Sequence, residues 1–392
     1  MPSDPLASWK SRLKSGLREL ESWSQRRNLE EMRGVNFCSN DYLGLAEHPA
    51  LREAVLLAVQ QAKRVGGTGS RLLSGQTEDW KLLEEEFANF AGTEAALYFG
   101  SGYAANIGLL TALVGKDDVV FSDALNHASL IDGMRLAGPR KVIYPHLDLN
   151  ALESALRRDL VAPGRKIIVT ESVFSMNGDI APLREMTELA EKYGAVLIVD
   201  EAHATAVHGP QGSGIAAQAE LQLRLMAIVH TCGKALASAG AFVCGSTVLK
   251  DHLINRARTF IFSTAPPPYL AGQIRAAMNL AAGMDREREE LQQRAAWLAR
   301  EFRFAGFDTA GSASQIVPAI LGKNDDTMEA AEFLQREGFA VRGIRPPTVP
   351  EGKARLRFSL TSSISTTEIS RLKETVVEWR ARQPVAAAVR NA

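Results

Sequence analysis

The sequence predicts an α/β protein: a large domain on a mostly parallel sheet, preceded by a helical arm and followed by a smaller α+β domain. Three observations carry that expectation. Between about residues 50 and 245, short apolar runs alternate with helical stretches, the pattern of βα units that bury a parallel sheet on both faces. Before it, Leu6, Trp9, Leu13, Leu17, Leu20 and Trp23 recur at three- and four-residue steps, which gives a helix one apolar stripe. After about residue 280 come a long charged helical stretch, short strands and a last helix. The expected divisions are 1–48 (arm and connector), 49–280 (large domain), 281–383 (α+β domain) and a disordered tail at 384–392.

Taken in order, the arm's stripe must dock either on this chain or on a partner subunit. NFCSNDYLGL, from Asn36, is a turn-rich connector, and LREAVLLAVQQA is a helix. VGGTGSRLLSG is a glycine-rich loop, and TEDWKLLEEEFANFAG is a helix that Thr77 is placed to cap. Strand AALYFG leads into helix SGYAANIGLLTALVG. Strands VVFSD, KVIYP, KIIVTES and AVLIVDEAH follow, separated by the helical stretches HASLIDGMRLAG, LNALESALRRDL and LREMTELAEKYG. Then MAIVHTCGKALASAGAFVCG places Lys234 at a strand end, ahead of very small residues that leave room for a planar ligand. The final domain reads as helix DREREELQQRAAWLAREFRFAG, strands QIVPAIL, FAVRGI and ARLRFSL, and a helix near TTEISRLKETVVEWR.

Composition excludes several function classes. Lys+Arg and Asp+Glu are both 45, and no basic stripe stands out, which argues against nucleic acid or an anionic membrane as partner. Cys38, Cys232 and Cys244 have no C-x-x-C spacing, so neither a disulfide framework nor a zinc site is expected, and a reducing, cytoplasmic setting is. His203 and His208 are five apart and no H-E-x-x-H occurs, so no metal is expected. No G-x-S-x-G marks a serine hydrolase. Asp-Glu-Ala-His at 200–203 also occurs in nucleic-acid helicases, but those need G-x-x-x-x-G-K-[ST], and no Gly-Lys here is followed by Ser or Thr.

Four strand exits bear candidate chemistry. GSGYAAN offers backbone N–H groups at a helix start around Gly102 and Tyr103, which suits a phosphate. A plain glycine turn reads equally well there. NHASL presents His127, VDEAH presents Asp200 and His203, and TCGK presents Lys234. Taken singly, His127 reads as structural, while a cap for Asp200 and a structural histidine for His203 read as well as a functional role. Together they fit pyridoxal 5'-phosphate: a lysine for its aldehyde, an aspartate for its ring nitrogen, a flat ring to cover it and a helix start for its phosphate.

With these residues in place, the chain resembles the α-oxoamine synthases, aminotransferase-like pyridoxal-phosphate enzymes, from about Asn36 to Leu360. The motifs are GTGSRLLSG, SGYAAN, NHASL, ESVFSMNGDIAPL, VDEAHATAVHGPQGSG, HTCGKA, FSTAPPP and RPPTVPEGKARLR. The resemblance implies an aminotransferase-like large domain, with Lys234 as the imine-forming lysine, Asp200 on the ring nitrogen, His203 at the ring hydroxyl and His127 stacked on the ring. It places Gly102, Tyr103 and Thr231 on the phosphate, Ser175 beside the ring hydroxyl, and Thr264 in the phosphate site from the other subunit of a homodimer. Arg357 would bind the amino-acid carboxylate, with Arg345, Thr348 and Asn40 also substrate-binding. The run IRPPTVP is most similar to the biotin-pathway members, which implies L-alanine and a pimeloyl thioester, on CoA or a carrier protein, condensing with loss of CO2. Glycine or serine with another acyl-CoA is the alternative. Asn126, Ala204 and the glycine-poor ALASAGA depart from the family pattern.

Overall fold

The computed structural model describes residues 4–159 and 164–383, so the tail expected at 384–392 lies outside the described residues. The main sheet contains β1 (Ala95–Phe99), β2 (Val119–Asp123), β3 (Arg140–Tyr144), β4 (Lys166–Glu171), β5 (Ala195–Asp200), β6 (Ala227–Thr231) and β7 (Ala241–Gly245). Their order is β1-β7-β6-β5-β4-β2-β3. Every neighbouring pair is parallel except those of β7, which runs antiparallel to both β1 and β6. The mostly parallel sheet is therefore as expected. The exception has a simple cause: Cys232–Gly240, between β6 and β7, is shorter than the dozen or so residues a parallel crossover needs. The chain turns straight back there, and Lys234 rides on that turn.

Every residue of β1, β2, β6 and β7 is buried, as a sheet covered on both faces requires. On one face, helices Gly102–Leu113 and Ala128–Ala137 pack Leu109, Leu110, Leu130 and Met134 with Val120, Val169, Ile198 and Val229. On helix Glu78–Ala91, Phe87 stacks on Phe242 with ring centroids 3.8 Å apart. Thr77 does occupy the N-cap position of that helix, but its hydroxyl makes no capping bond. The expected cap is positional only.

Gly240 fixes how the lysine turn rejoins the sheet. Its φ is +85°, and a Cβ there would lie 1.9 Å from the Tyr98 hydroxyl oxygen, which itself donates to Ala239 O at 3.0 Å. Gly240→Ala is expected to lose roughly 1–3 kcal/mol from backbone strain alone, and the clash adds to it. Calorimetry should show a melting temperature several degrees lower.

The chain divides into two compact units, Asn40–Ser175 with Asp179–Glu290, and Met1–Ser39 with Met176–Gly178 and Leu291–Ala392. These breaks differ from the expected divisions at 48 and 280. Residues 40–48 go with the large unit because Asp41 accepts the N–H groups of Leu45 and Ala46 (2.9 and 3.0 Å) while Tyr42 bonds His203 (2.6 Å). Residues 281–290 stay there because buried Arg288 donates to the carbonyls of Ala206 and Ala281.

In the smaller unit, Gly343–Ile344, Ala354–Ser359 and Ile316–Gly322 form an antiparallel sheet. The first 39 residues of the arm fall in this unit. Val35–Asn36 pairs with Phe339–Ala340, and Phe37 packs edge-on against Phe339 and Phe358 (6.0 and 6.2 Å). Asp4 caps helix Pro5–Ser22, which buries none of its residues; Leu6, Trp9 and Leu13 are about 60% exposed. Among the described residues, no helix is long and apolar enough to cross a membrane.

Candidate active site

The carboxyl ends of β1, β2, β5 and β6 open on one cavity of about 250 Å³, built within the large unit. This is where an open α/β sheet places its ligands. After β1, Ser101 caps helix Gly102–Leu113 by accepting the Ala104 N–H at 3.1 Å. The N–H groups of Gly102 and Tyr103 belong to the first turn, which has no intrahelical acceptors for them. A Cβ on Gly102 would lie 2.7 Å from Thr231 Cγ2, so only glycine lets that helix start meet the end of β6. The Thr231 hydroxyl also lines the cavity and donates to Ala202 O at 3.2 Å. Two N–H groups at a positive helix end suit a phosphate, and the Thr231 hydroxyl joins them as a donor only by giving up its bond to Ala202 O.

His127 follows β2 as the N-cap of helix Ala128–Ala137. Its Nδ1 accepts the Ser129 N–H at 3.2 Å, which leaves the proton of the neutral ring on Nε2. Desolvation pulls its pKa below the usual histidine value, opposed by Asp200 and assisted by Lys234, so the ring is neutral at pH 7. Asp200 ends β5, buried, and accepts Asn106 Nδ2–H at 2.7 Å and the Ala202 N–H at 2.9 Å. Asn106 also donates to Ser129 Oγ at 2.8 Å, and Ser129 Oγ lies 2.7 Å from His127 Nδ1. A hydrogen-bonded chain thus runs from the aspartate to the histidine.

His203, also buried, has Nδ1 2.6 Å from the Tyr42 hydroxyl, whose hydrogen goes to Asn40 Oδ1 at 3.0 Å. The ring nitrogen is therefore the donor to Tyr42. Asn40 reaches the cavity through this relay. Lys234 is half-buried, lines the cavity, and sits on a turn closed by Ala237 N–H to Lys234 O (2.8 Å) and Ser238 N–H to Cys232 O (2.9 Å). ALASAGA therefore builds the turn that presents the lysine, with Ala237 at φ +43°, as well as leaving space beside it.

The cavity thus gathers Gly102, Tyr103, His127, Asp200, His203, Thr231 and Lys234. Ser175 is next to it: its N–H bonds Glu171 Oε2 at 3.3 Å, and Glu171 lines the cavity. Thr264 is exposed, bridges to Ser70, and does not line the cavity. Arg345, Thr348 and Arg357 belong to the smaller unit. There Arg357 is buried and donates to Ser359 Oγ at 2.6 Å, Arg345 is buried, and Thr348 is exposed.

Sequence reasoning missed Asn106, Ser129, Tyr42 and Glu171. Glu171 is the most informative of them. It ends β4 in register with Asp200, and its Oε1 has no hydrogen-bond partner among the described residues. Burial, then the Asp200 charge, push its pKa up to about 8 against the pull of Lys234. A polar residue closing an apolar strand beside Asp200 was a signal available in KIIVTES. Because the folded pKa is raised, the native state holds this proton over a range where the unfolded chain has released it, and stability falls as pH rises from the ordinary carboxylate range through about 8. Glu171→Gln should therefore melt a few degrees above the parent protein at pH 8 and show no such gain at pH 5, as thermal melts of both proteins would record.

These donors fit pyridoxal phosphate: a phosphate cradle, a carboxylate, an imidazole and an amine share one cavity, beside an unpartnered buried carboxyl oxygen. Among the described residues no group of three or more His, Cys, Asp or Glu is placed to hold a metal ion. Residues 33–376 match the family model described as aminotransferase class I and II. A relative from Geobacter sulfurreducens, an 8-amino-7-oxononanoate synthase, is 49% identical over 86% of each chain. A serine palmitoyltransferase from S. paucimobilis, solved with a bound PLP-myriocin aldimine, superposes with a TM-score of 0.87 at 28% identity, covering 96% of this chain and 99% of that one. An 8-amino-7-oxononanoate synthase structure from Francisella tularensis gives 0.77 at 27% identity, over 89% of this chain and 98% of that one.

Proposed function

We infer the chemistry from one premise: the chain belongs to the aminotransferase class I and II family and, within it, to the 8-amino-7-oxononanoate synthases. It is a pyridoxal-phosphate-dependent acyltransferase of biotin biosynthesis. L-alanine and a pimeloyl thioester condense to 8-amino-7-oxononanoate, releasing CO2 and CoA or a carrier thiol. The observation that carries the reading is the lysine turn opening on the same cavity as Asp200 and His127.

Pyridoxal phosphate, when bound, supplies a protonated ring that accepts electrons from the amino-acid Cα. The chain's residues then have separable tasks. The helix start at Gly102 and Tyr103, with the Thr231 hydroxyl, holds the phosphate. Asp200 keeps the ring nitrogen protonated, and its bond from Asn106 holds the carboxylate in place. Lys234 would hold the aldehyde end of the cofactor, and its amine is the base placed to take the Cα proton. His127 covers the ring, and its Nε2–H is the donor available to the thioester carbonyl as that carbon is attacked. His203 serves the ring hydroxyl, with Ser175 from the following turn. Arg357 is assigned the alanine carboxylate from the resemblance of its RLR run to the family's, and a guanidinium is suited to it because it pairs with a carboxylate in bidentate fashion. Arg345, Thr348 and Asn40 are assigned to the substrate.

We further propose a cytoplasmic homodimer. Two features support it: the exposed apolar stripe of helix Pro5–Ser22, and an exposed Thr264 whose assigned phosphate role requires a second copy. Sedimentation equilibrium of the holoenzyme reads the dimer directly, and a monomer would remove Thr264 from the site. The substrates are tested by CO2 release from alanine, glycine and serine, each with pimeloyl-, acetyl- and succinyl-CoA. Preference for alanine with pimeloyl-CoA is expected. Preference for glycine would overturn the alanine assignment.

A further inference from the structure

An ion-pair cluster outside the cavity centres on His146, just after β3. Its Nδ1 lies 2.8 Å from Asp123 Oδ1 and its Nε2 lies 2.7 Å from Asp179 Oδ2. Ionised carboxylates only accept hydrogen bonds, so a ring held between two of them carries a proton on each nitrogen. Both acids also organise the chain around them. Asp123, with a fully buried side chain, accepts the N–H groups of Leu125 (2.8 Å) and Leu147 (2.9 Å). Leu125 begins the turn that delivers His127, and Asn126 in that turn donates to Ser122 Oγ (2.9 Å) and Val169 O (2.8 Å). Asp179 closes the turn after β4. Its carbonyl accepts the Phe174 N–H at 3.0 Å, and Val173 bridges to Ile180 on either side of Ser175. Phe174 meets the imidazole edge-on, with centroids 4.4 Å apart.

We propose that His146 is a positioning residue whose imidazolium pins the turn carrying His127 to the turn carrying Ser175, and so fixes the His127 side of the cofactor cavity against the turn beside it. The carboxylates that meet the two ring nitrogens are Asp123 from the end of β2 and Asp179 from the turn after β4. Tyr144 of β3, beside Asp123, is buried and stays a neutral phenol. Burial opposes the charge on His146, but the hydrogen bonds and charges of the two aspartates outweigh it and raise its pKa to about 9. The folded value is raised, so the pin's stabilisation is complete below the ordinary histidine value of about 6.5. It is lost as pH rises through about 9. Asn126, the departure from the family pattern beside His127, belongs to the same pinned turn.

The inference rests on the cofactor reading, and two measurements keep them apart. In holoenzyme labelled with 13C at its histidine rings, the His146 resonance should titrate with a midpoint near 9. It is identified by its absence from His146→Gln or by its displacement in Asp179→Asn, where the midpoint should move down. This result does not depend on what occupies the cavity. In the second arm, pyridoxal-phosphate affinity is read from visible absorbance across pH. The parent protein should lose affinity through the same alkaline range. His146→Gln should bind more weakly at neutral pH and lack that break, with kcat down by roughly 10–100-fold and little change in the KM for alanine. If His146→Gln does not fold, Asp179→Asn, which keeps the Asp123 bond, must show the weaker binding and an earlier break. A His146 midpoint near the ordinary value, or cofactor affinity and pH profile unchanged in these variants, overturns the proposal. If the parent protein fails to bind pyridoxal phosphate while His146 still titrates high, the cofactor reading falls and the pin stands as a structural feature alone.

Discussion

Lys234→Ala removes turnover, by at least the roughly 10²–10⁴-fold that a single acid–base group contributes, while the protein stays folded. The separation follows from the local structure. The turn that presents the lysine is closed by backbone bonds, from Ala237 N–H to Lys234 O and from Ser238 N–H to Cys232 O, and alanine keeps both. The proposed phosphate cradle at Gly102, Tyr103 and Thr231 rests on backbone and hydroxyl groups that the substitution does not touch. The variant should therefore still take up pyridoxal phosphate, without the absorbance that lysine attachment confers. Parent-level synthase activity in Lys234→Ala would remove the residue from the mechanism.

Asp200→Asn is expected to be the next most damaging change, lowering kcat by roughly 10²–10³-fold, the range seen when one preorganised charge-stabilising group is lost. The amide keeps the shape and an acceptor oxygen for the Ala202 N–H, but it has no charge with which to hold a proton on the ring nitrogen. Its NH2 group would also oppose the Asn106 NH2, which now donates to the carboxylate at 2.7 Å. Asp200→Ala serves as the comparison, since it strands that buried amide and should also lower the melting temperature. A kcat loss in Asp200→Asn without a matching loss of stability assigns the effect to charge.

Much of this was legible in the sequence because the cavity residues it singled out sit where a period changes. Asp200 ends an apolar strand, His127 and Gly102 begin helices, and Lys234 interrupts an apolar run, so local pattern located them. What sequence could not supply was lateral pairing. Glu171 and Asp200 are neighbours only because β4 and β5 lie in register, and Tyr42 reaches His203 across a separation of 161 positions. The compact units break elsewhere than the expected divisions for the same reason. Val35–Asn36 joins a strand some three hundred residues later, a partnership that no window of sequence displays. Thr77 shows the opposite error, a residue of the right type at the right position whose side chain does not make the expected bond.

The antiparallel β7 sets the order in which the cofactor site can be assembled. It lies between β1 and β6, so β1, with the helix start of Gly102 and Tyr103 behind it, has no neighbour in the sheet until Ala241–Gly245 has been made. At a synthesis rate of about 5–20 residues per second, that strand and the helix start behind it wait roughly 7–30 seconds as the intervening chain emerges. The same hairpin that brings in β7 also carries Lys234. Cradle and lysine are thus completed in one late event, and a nascent chain ending short of that hairpin has neither the paired edge strand nor the amine. Acquisition of the cofactor's lysine-linked colour during synthesis would then date the closure of the sheet.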